Sequence, residues 1–600
     1  MCGIAGLVNN NNSLMPDAAL KNLANSMFHR GPDNQGIYRF ENVSLVHTRL
    51  SIIDLTEAGN QPFHFNEYSI IFNGEIYNFL ELRNELTQKG VNFQTNSDVE
   101  VVIKYIAIKG LASVEKFNGM FAIAVLDRRE RKIHLIRDRI GIKPLFYSTI
   151  NGNLYFASEQ KAFYAFPEFI WQLDHLALSE YLLFQNVISF KTLDKNIMEL
   201  PPGTIMSYPI NSSEGAMAFS KYYNIEICTD ESMKNQSESS DLLASLISDS
   251  VERQLLSDVE IGCFLSGGVD SGSIAAQVAV FNSEVKTFTI GFKGLESESI
   301  APFDESAAVL ELLENFQFSS NFEFVSPENF EMLMVSTFNA ISEPRVGQSY
   351  PNFAASQLAA KNLKVALSGT GGDELFAGYP WRYFSALNGS NFNDFKKDYF
   401  QFWCRILDVS SLSAIKIHEG KHGALYAQDL FMDLVKPVEH GVSKQQMFLN
   451  SALEFEMKTF LRGLLLIEDQ ISMANSLETR VPLLDNHILD FALKCPVSWK
   501  FDFEQIRGKV ILGEAMSKLL PIAQIERSKR GFTGPDELWF RTTSKNLVQR
   551  KLLDRKSNIF EILEFEPIAR RILDHFSGKE NNRLLIWSLL SLEHYFNTRA

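Results

Sequence analysis

A chain of 600 residues with 45% hydrophobic and 22% charged residues has room for two to four domains, each with its own core, and is too apolar to be disordered. Its 57 basic against 72 acidic residues, a net charge of -15, provide no cationic field for nucleic acid or anionic lipid. Five cysteines, Cys2, Cys228, Cys263, Cys404 and Cys495, are odd in number and widely spaced, which argues against a disulfide framework or a structural zinc site and for a reducing compartment.

The amino terminus has no basic lead-in, and the run from Asn9 to Asn12 ends its apolar stretch too early for a signal peptide. No run of about 18 apolar residues occurs, so a cytoplasmic protein without a membrane partner is expected. Short β-type runs separated by turn residues predict strands over 4–8, 43–48, 68–72, 120–127, 132–137 and 154–157, with helices over 78–90 and 99–109. Residues 1–208 thus read as a sheet-rich α+β domain. The polar stretch 209–238 has the composition of a linker. Beyond it a helix (241–256), a buried strand (259–265), a helix (271–280) and a strand (286–292) alternate, which calls for a parallel sheet. From about 379 onward nearly every segment reads as helix. Over 509–520, for example, Leu512, Ala515, Met516 and Leu519 share one face before Pro521. Residues 239–600 are therefore expected to form an α/β parallel-sheet domain with a helical carboxyl-terminal extension.

Cys2 follows the initiator methionine, and so small a residue permits removal of Met1, leaving a thiol and an α-amine on one residue. An α-amine titrates near about 7.7 to 8.0 and can take the thiol proton in place of a histidine. An isolated cysteine here is usually a small apolar residue opening a strand, so its neighbours decide. Asn73-Gly74 offers an amide side chain and an unhindered backbone N–H to an oxyanion. Arg49 presents a planar fork for a carboxylate, and Glu75 and Asp98 present anions for an ammonium. Each has an ordinary explanation alone, Asn-Gly as a turn and Ser97-x-x-Glu100 as a capping box. Together they suit the amino-acid end of glutamine.

With His29-Arg-Gly-Pro-Asp33, Phe117-Asn-Gly-Met-Phe-Ala122 and Arg137-Asp-Arg-Ile-Gly-Ile-Lys-Pro144, this segment resembles the glutaminase domain of class II glutamine amidotransferases. The resemblance implies an N-terminal-nucleophile fold, a four-layer sandwich of two stacked sheets flanked by helices. It further implies Cys2 as nucleophile, Asn73 and Gly74 as the oxyanion hole, and Arg49, Asn73, Gly74, Glu75 and Asp98 around glutamine.

Leu265-Ser-Gly-Gly-Val-Asp-Ser271 lies between a predicted strand and a predicted helix. Its glycines let backbone N–H groups close around phosphate oxygens, Ser266 and Ser271 add hydroxyls, and the helix dipole favours an anion. No Gly-Lys-[Ser/Thr] follows, so transfer of a γ-phosphoryl group is not indicated. Leu367-Ser-Gly-Thr-Gly-Gly-Asp-Glu374 is a second strand and glycine turn with two carboxylates. The first loop is similar to that of ATP pyrophosphatases. The second, with the stretches from Asp469 to Asp485 and from Arg527 to Phe532, is similar to the synthetase domain of asparagine synthetases. That resemblance implies an ATP-pyrophosphatase domain. In it Leu265, Ser266, Gly267, Gly268, Asp270, Ser271, Ile290, Ser368 and Gly369 face ATP, and Asp270 and Asp373 hold Mg2+. Lys529 neutralises charge as an acyl-adenylate forms and breaks down, although by composition 526–530 is a solvated charge run.

Three positions depart from that family: Thr370 where an acidic residue is usual, Gln470 where a basic one is common, and 343–349, which lacks an acidic residue often found there. A hydroxyl cannot take up a proton as a carboxylate does. The resulting expectation is a glutamine-hydrolysing carbon–nitrogen ligase whose partners are glutamine, ATP and a small carboxylate acceptor, L-aspartate by resemblance, with an internal passage for ammonia. The alternatives are the same chemistry on the carboxylate of a sugar (uronic acid), a glutamine amidotransferase that does not use ATP, a β-lactam-forming relative, and a scaffold that has lost its chemistry. Retention of Cys2, Asn73, Asp270, Asp373 and Lys529 counts against the last two. A homodimer is left open.

Overall fold

The computed structural model describes residues 2–10, 15–210, 217–230, 232–282, 284–294, 305–384, 386–408, 411, 420–438, 443–527 and 534–599. Two antiparallel six-stranded sheets occupy the amino-terminal part. In spatial order the first runs Met198–Glu199, Phe146–Ile150, Asn153–Ala157, Gly3–Val8, Val43–Arg49, Asn34–Phe40. The second runs Ala218–Lys221, Thr204–Pro209, Lys132–Arg137, Gly119–Asp127, Tyr68–Ile76, Phe63–Phe65.

Alternation along the strands makes these sheets stack. Ile71, Ala122, Ala124 and Leu126 of the second sheet pack against Ile4, Leu45 and Phe156 of the first. Their chain neighbours Ile70, Phe72, Ile123 and Val125 point the other way, into the helices Phe79–Thr87 and Asp98–Lys109. On the far side Ala5, Leu7, Val46 and Tyr155 cover the helix Asp17–Ser26 through Leu20 and Leu23. The layers are helix, sheet, sheet, helix, as expected of an N-terminal-nucleophile fold.

The stretch 209–238 is more structured than its linker composition suggests. Ala218–Lys221 pairs with Thr204–Pro209 and extends the second sheet, and a helix already starts at Gln236. All four residues of that edge strand are exposed, so no buried face imposes an alternating pattern on the sequence.

The third sheet has five parallel strands, Phe318–Val325, Val285–Phe292, Ile261–Phe264, Val365–Leu367 and Glu478–Arg480. Numbered along the chain their order is 3-2-1-4-5, which reverses between Ile261–Phe264 and Val365–Leu367. Connections from two such neighbours leave toward opposite faces and open a crevice beyond their carboxyl ends. The loops at this switch point are 265–268 and 368–371, the two glycine turns. Helices dominate beyond 379, including Phe392–Trp403, Phe460–Met473 and Arg583–Asn597. The helix expected over 509–520 contracts to Val510–Met516. Among the described residues no helix is long and apolar enough to cross a membrane.

Candidate functional site

Cys2 stands at the head of the central strand Gly3–Val8 and is 8% exposed. Its N–H donates to Asn73 Oδ1 at 3.1 Å. The other end of that amide, Asn73 Nδ2, is buried without a hydrogen-bond partner among the described residues. A donor left this way is costly unless a ligand meets it. At Gly74, with φ +144°, a Cβ would collide with the Met120 carbonyl, so the backbone beside Asn73 stays bare only with glycine. Burial pushes the Cys2 thiol above its ordinary range, and the Leu50 N–H and the Arg49 charge pull against it. Met1 lies outside the described residues.

Glu75 and Asp98 come together, in company that the sequence does not announce. Burial, then Asp98 and Glu478, push the Glu75 carboxyl well above the usual range, while Arg480, its Nη2 3.6 Å from Glu75 Oε1, pulls it back. Asp98 accepts the Ile76 N–H at 3.2 Å and is pushed up to about 6, chiefly by burial. Arg480 is anchored by Glu478 at 2.6 Å. Arg49 behaves differently from the expectation of an open fork. Nη1 donates to Thr56 O at 2.7 Å and Asn60 Oδ1 at 2.9 Å, and Nη2 to the carbonyls of Ile53 and Asp54. In this state both prongs brace the 53–60 loop, because a guanidinium satisfies converging carbonyls as readily as a carboxylate.

At the switch point of the parallel sheet lies a cavity of about 210 Å³ lined by Leu265, Ser266, Gly268, Asp270, Ser271, Ile290, Ser368 and Gly369. Of the residues expected at the nucleotide only Gly267 is missing from the lining; its N–H donates to Glu305 at 3.2 Å. The two glycine turns touch back to back, and a Cβ on Gly372 would strike the Asp270 carboxylate. Asp270 Oδ2 and Asp373 Oδ1 each lie 2.5 Å from Lys509 Nζ, so one ammonium holds both carboxylates. Glu374 turns away, taking the Tyr379 hydroxyl at 2.8 Å, and is pushed up to about 7 by burial and by Asp373. Among the described residues no cluster of three or more His, Cys, Asp or Glu is arranged to hold a metal. Lys529 lies outside the described residues. Gln470 does not face the cavity, since it accepts Ser342 N–H at 2.9 Å and donates to Ser342 Oγ at 3.1 Å. Glu343 is spent on Leu193 N–H and Arg345.

Two buried arginines tie the sites together. Arg30 donates from Nε to Cys2 O at 3.1 Å, and its Nη1 lies 2.8 Å from both Glu159 Oε1 and Asp469 Oδ2. Asp469 belongs to the helix Phe460–Met473, whose Glu468 and Ile471 line the cavity. Arg480 reaches Glu75 with its guanidinium, while its carbonyl accepts the Ser368 N–H at 2.8 Å. Sequence reasoning missed Arg30, Lys509, Glu468, Glu478 and Arg480. Two stretches carried a signal, as motifs without assigned roles: His29 to Asp33, which holds Arg30, and Asp469 to Asp485, which holds Glu478 and Arg480.

Comparison with known proteins matches residues 242–597 to the asparagine synthase family and residues 1–223 to the glutamine amidotransferase domain. The chain is 31% identical to asparagine synthetase (glutamine-hydrolyzing) 1 of Bacillus subtilis strain 168, over 98% of this chain and 95% of that protein. It is 30% identical to asparagine synthetase (glutamine-hydrolyzing) 3 of the same organism, over 95% of each. Amidase chyE of Penicillium rubens is 27% identical, over 85% of this chain and 84% of that protein. With more than half of the chain inside the first match and a relative above 30% identity running almost end to end, this chain belongs to the asparagine synthase family and is a glutamine-hydrolysing, ATP-using carbon–nitrogen ligase.

Proposed function

We propose that the two sites act in sequence on a small carboxylate. Cys2 attacks the glutamine carboxamide, Asn73 Nδ2 and the Gly74 backbone take the oxyanion, and ammonia passes inside the protein to the second site. There the carboxylate attacks the α-phosphate of ATP, pyrophosphate leaves, and ammonia displaces AMP to give the amide. The observation that carries this reading is the unpartnered buried Asn73 Nδ2 beside Cys2, a donor placed where negative charge develops. Ser266, Ser271 and Gly268 cradle the phosphates, and Ile290, Leu265, Ser368 and Gly369 flank the nucleoside. Asp270 and Asp373 suit Mg2+: two hard oxygen donors from the first turns of the helices that follow the two glycine turns already share one cation, and Mg2+ takes one or two carboxylates and completes its shell with phosphate oxygens and water. Bound there, it would neutralise charge on the departing pyrophosphate.

Glu75 and Asp98 receive the glutamine ammonium. Both carboxyls sit above their usual range in the free protein, and a cation favours their charged forms. Glutamine binding therefore expels a proton from Asp98 near pH 6, and affinity rises with pH through that window. Titration calorimetry of the Cys2→Ala protein at pH 6, in two buffers of different ionisation enthalpy, should report net proton release. Proton uptake would remove these carboxyls from the ammonium site.

L-Aspartate is the acceptor that the family implies. A second reading, a hydroxyl-bearing sugar carboxylate, is favoured by the hydroxyl and amide wall of Ser356, Ser368, Thr370 and Asn352 in the cavity. Pyrophosphate release with ATP and a panel of aspartate and uronic acids separates the two. Turnover with aspartate alone discards the sugar reading.

A further inference from the structure

The amination step leaves a surplus proton, and most of the cavity cannot take it. Among the described lining residues the carboxylates are Asp270, Asp373 and Glu468. The first two are held on Lys509, at the phosphate end. The remaining polar groups near the second glycine turn, Ser356, Ser368, Thr370 and Asn352, are hydroxyls and an amide, none basic at neutral pH. Glu468 comes from another element, the helix Phe460–Met473, and lines the cavity together with Ser368 and Thr370, whose hydroxyls favour its charged form. Those two hydroxyls are 3.0 Å apart, and the Thr370 N–H donates to Ser368 Oγ at 3.3 Å. One residue along the helix, about 100° around its axis, Asp469 points instead to Arg30 and Lys143 of the glutaminase half.

We propose that Glu468 is the proton acceptor of the amide-forming step, with Ser368 and Thr370 orienting its carboxylate. This inference rests on the adenylation reading above. Ammonia's lone pair forms the C–N bond to the acyl carbon of the acyl-adenylate. The nitrogen, now carrying one proton too many, passes it to Glu468. The carbonyl re-forms as the C–O bond to the α-phosphate breaks, and the electron pair leaves with AMP. The proton on Glu468 then returns to solvent. Burial raises this carboxyl above its ordinary range against the pull of Ser368, Thr370 and Lys143, and Asp469 adds to the rise, which brings its basicity toward the pH of the reaction. Thr370, neutral itself, thus serves a carboxylate supplied from a helix.

The test uses the full chain, with the acceptor that supports acceptor-dependent exchange of labelled pyrophosphate into ATP. For Glu468→Gln, exchange and glutaminase activity should stay within about twofold. The kcat for amide formation should fall by about 10²-fold or more with either glutamine or ammonium, at unchanged acceptor KM, and Glu468→Asp should recover part of it. Retained exchange proves that the synthetase half is folded. A fall in exchange matching the fall in amide, or a raised acceptor KM with kcat intact, overturns the assignment and makes Glu468 a binding group. Amide formation unchanged in Glu468→Gln overturns this inference alone. Wild-type protein showing no exchange with any carboxylate overturns the adenylation reading and this inference with it.

Discussion

Cys2→Ala should lower glutamine-dependent amide formation by on the order of 10⁴-fold or more, while synthesis from ammonium salts stays within about twofold. The asymmetry follows from the architecture. The thiol has no part in the crevice of the parallel sheet, and the change deletes one sulfur at the head of a strand whose apolar residues remain. Without a nucleophile no acyl intermediate forms, and the oxyanion donors alone cannot compensate. Alanine keeps the backbone N–H that Asn73 Oδ1 accepts, so Asn73 Nδ2 stays aimed and glutamine binding should persist. Assaying amide with glutamine and with ammonium chloride side by side decides it. Equal loss in both assays would mean that the Cys2 side chain supports the second site as well.

Asp270→Asn should reduce pyrophosphate release by about 10²- to 10³-fold and leave glutaminase activity unchanged. Asparagine preserves volume, which matters because Gly372 packs against this side chain, but it removes one of two charges that converge on Lys509. The pocket loses an anionic oxygen for Mg2+, and Lys509 shifts its weight to Asp373. Pyrophosphate appearing at the normal rate would take Asp270 out of the metal role. Raising Mg2+ should recover part of the loss only if the defect is in metal affinity.

How much of this was legible in the sequence depended on whether the chemistry was local. The sheet strands follow from short apolar runs such as 68–72 and 120–127 bounded by turn residues, and the switch crevice from two glycine turns after buried strands. Cys2 with Asn73-Gly74 could be read because oxyanion chemistry needs those groups whatever surrounds them. Lys509 could not: it meets Asp270 across 239 positions, and nothing near Lys509 marks it as different from a surface lysine. Glu468 lies among buried Leu465, Leu466 and Ile471, where the helical pattern reads as core. Arg49 shows a third limit, since its residue type announces a fork but not whether carbonyls have already closed it.

The position of Arg480 has a thermodynamic corollary. One residue is bonded at its carbonyl to Ser368 of the second glycine turn and paired at its guanidinium with Glu75 and Glu478, so a displacement of the strand Glu478–Arg480 is felt at both ends. A coupling free energy between two ligands is the same in either direction. Whatever factor ATP and acceptor add to glutamine affinity through this strand, glutamine must return to them, and one measured ratio fixes the other.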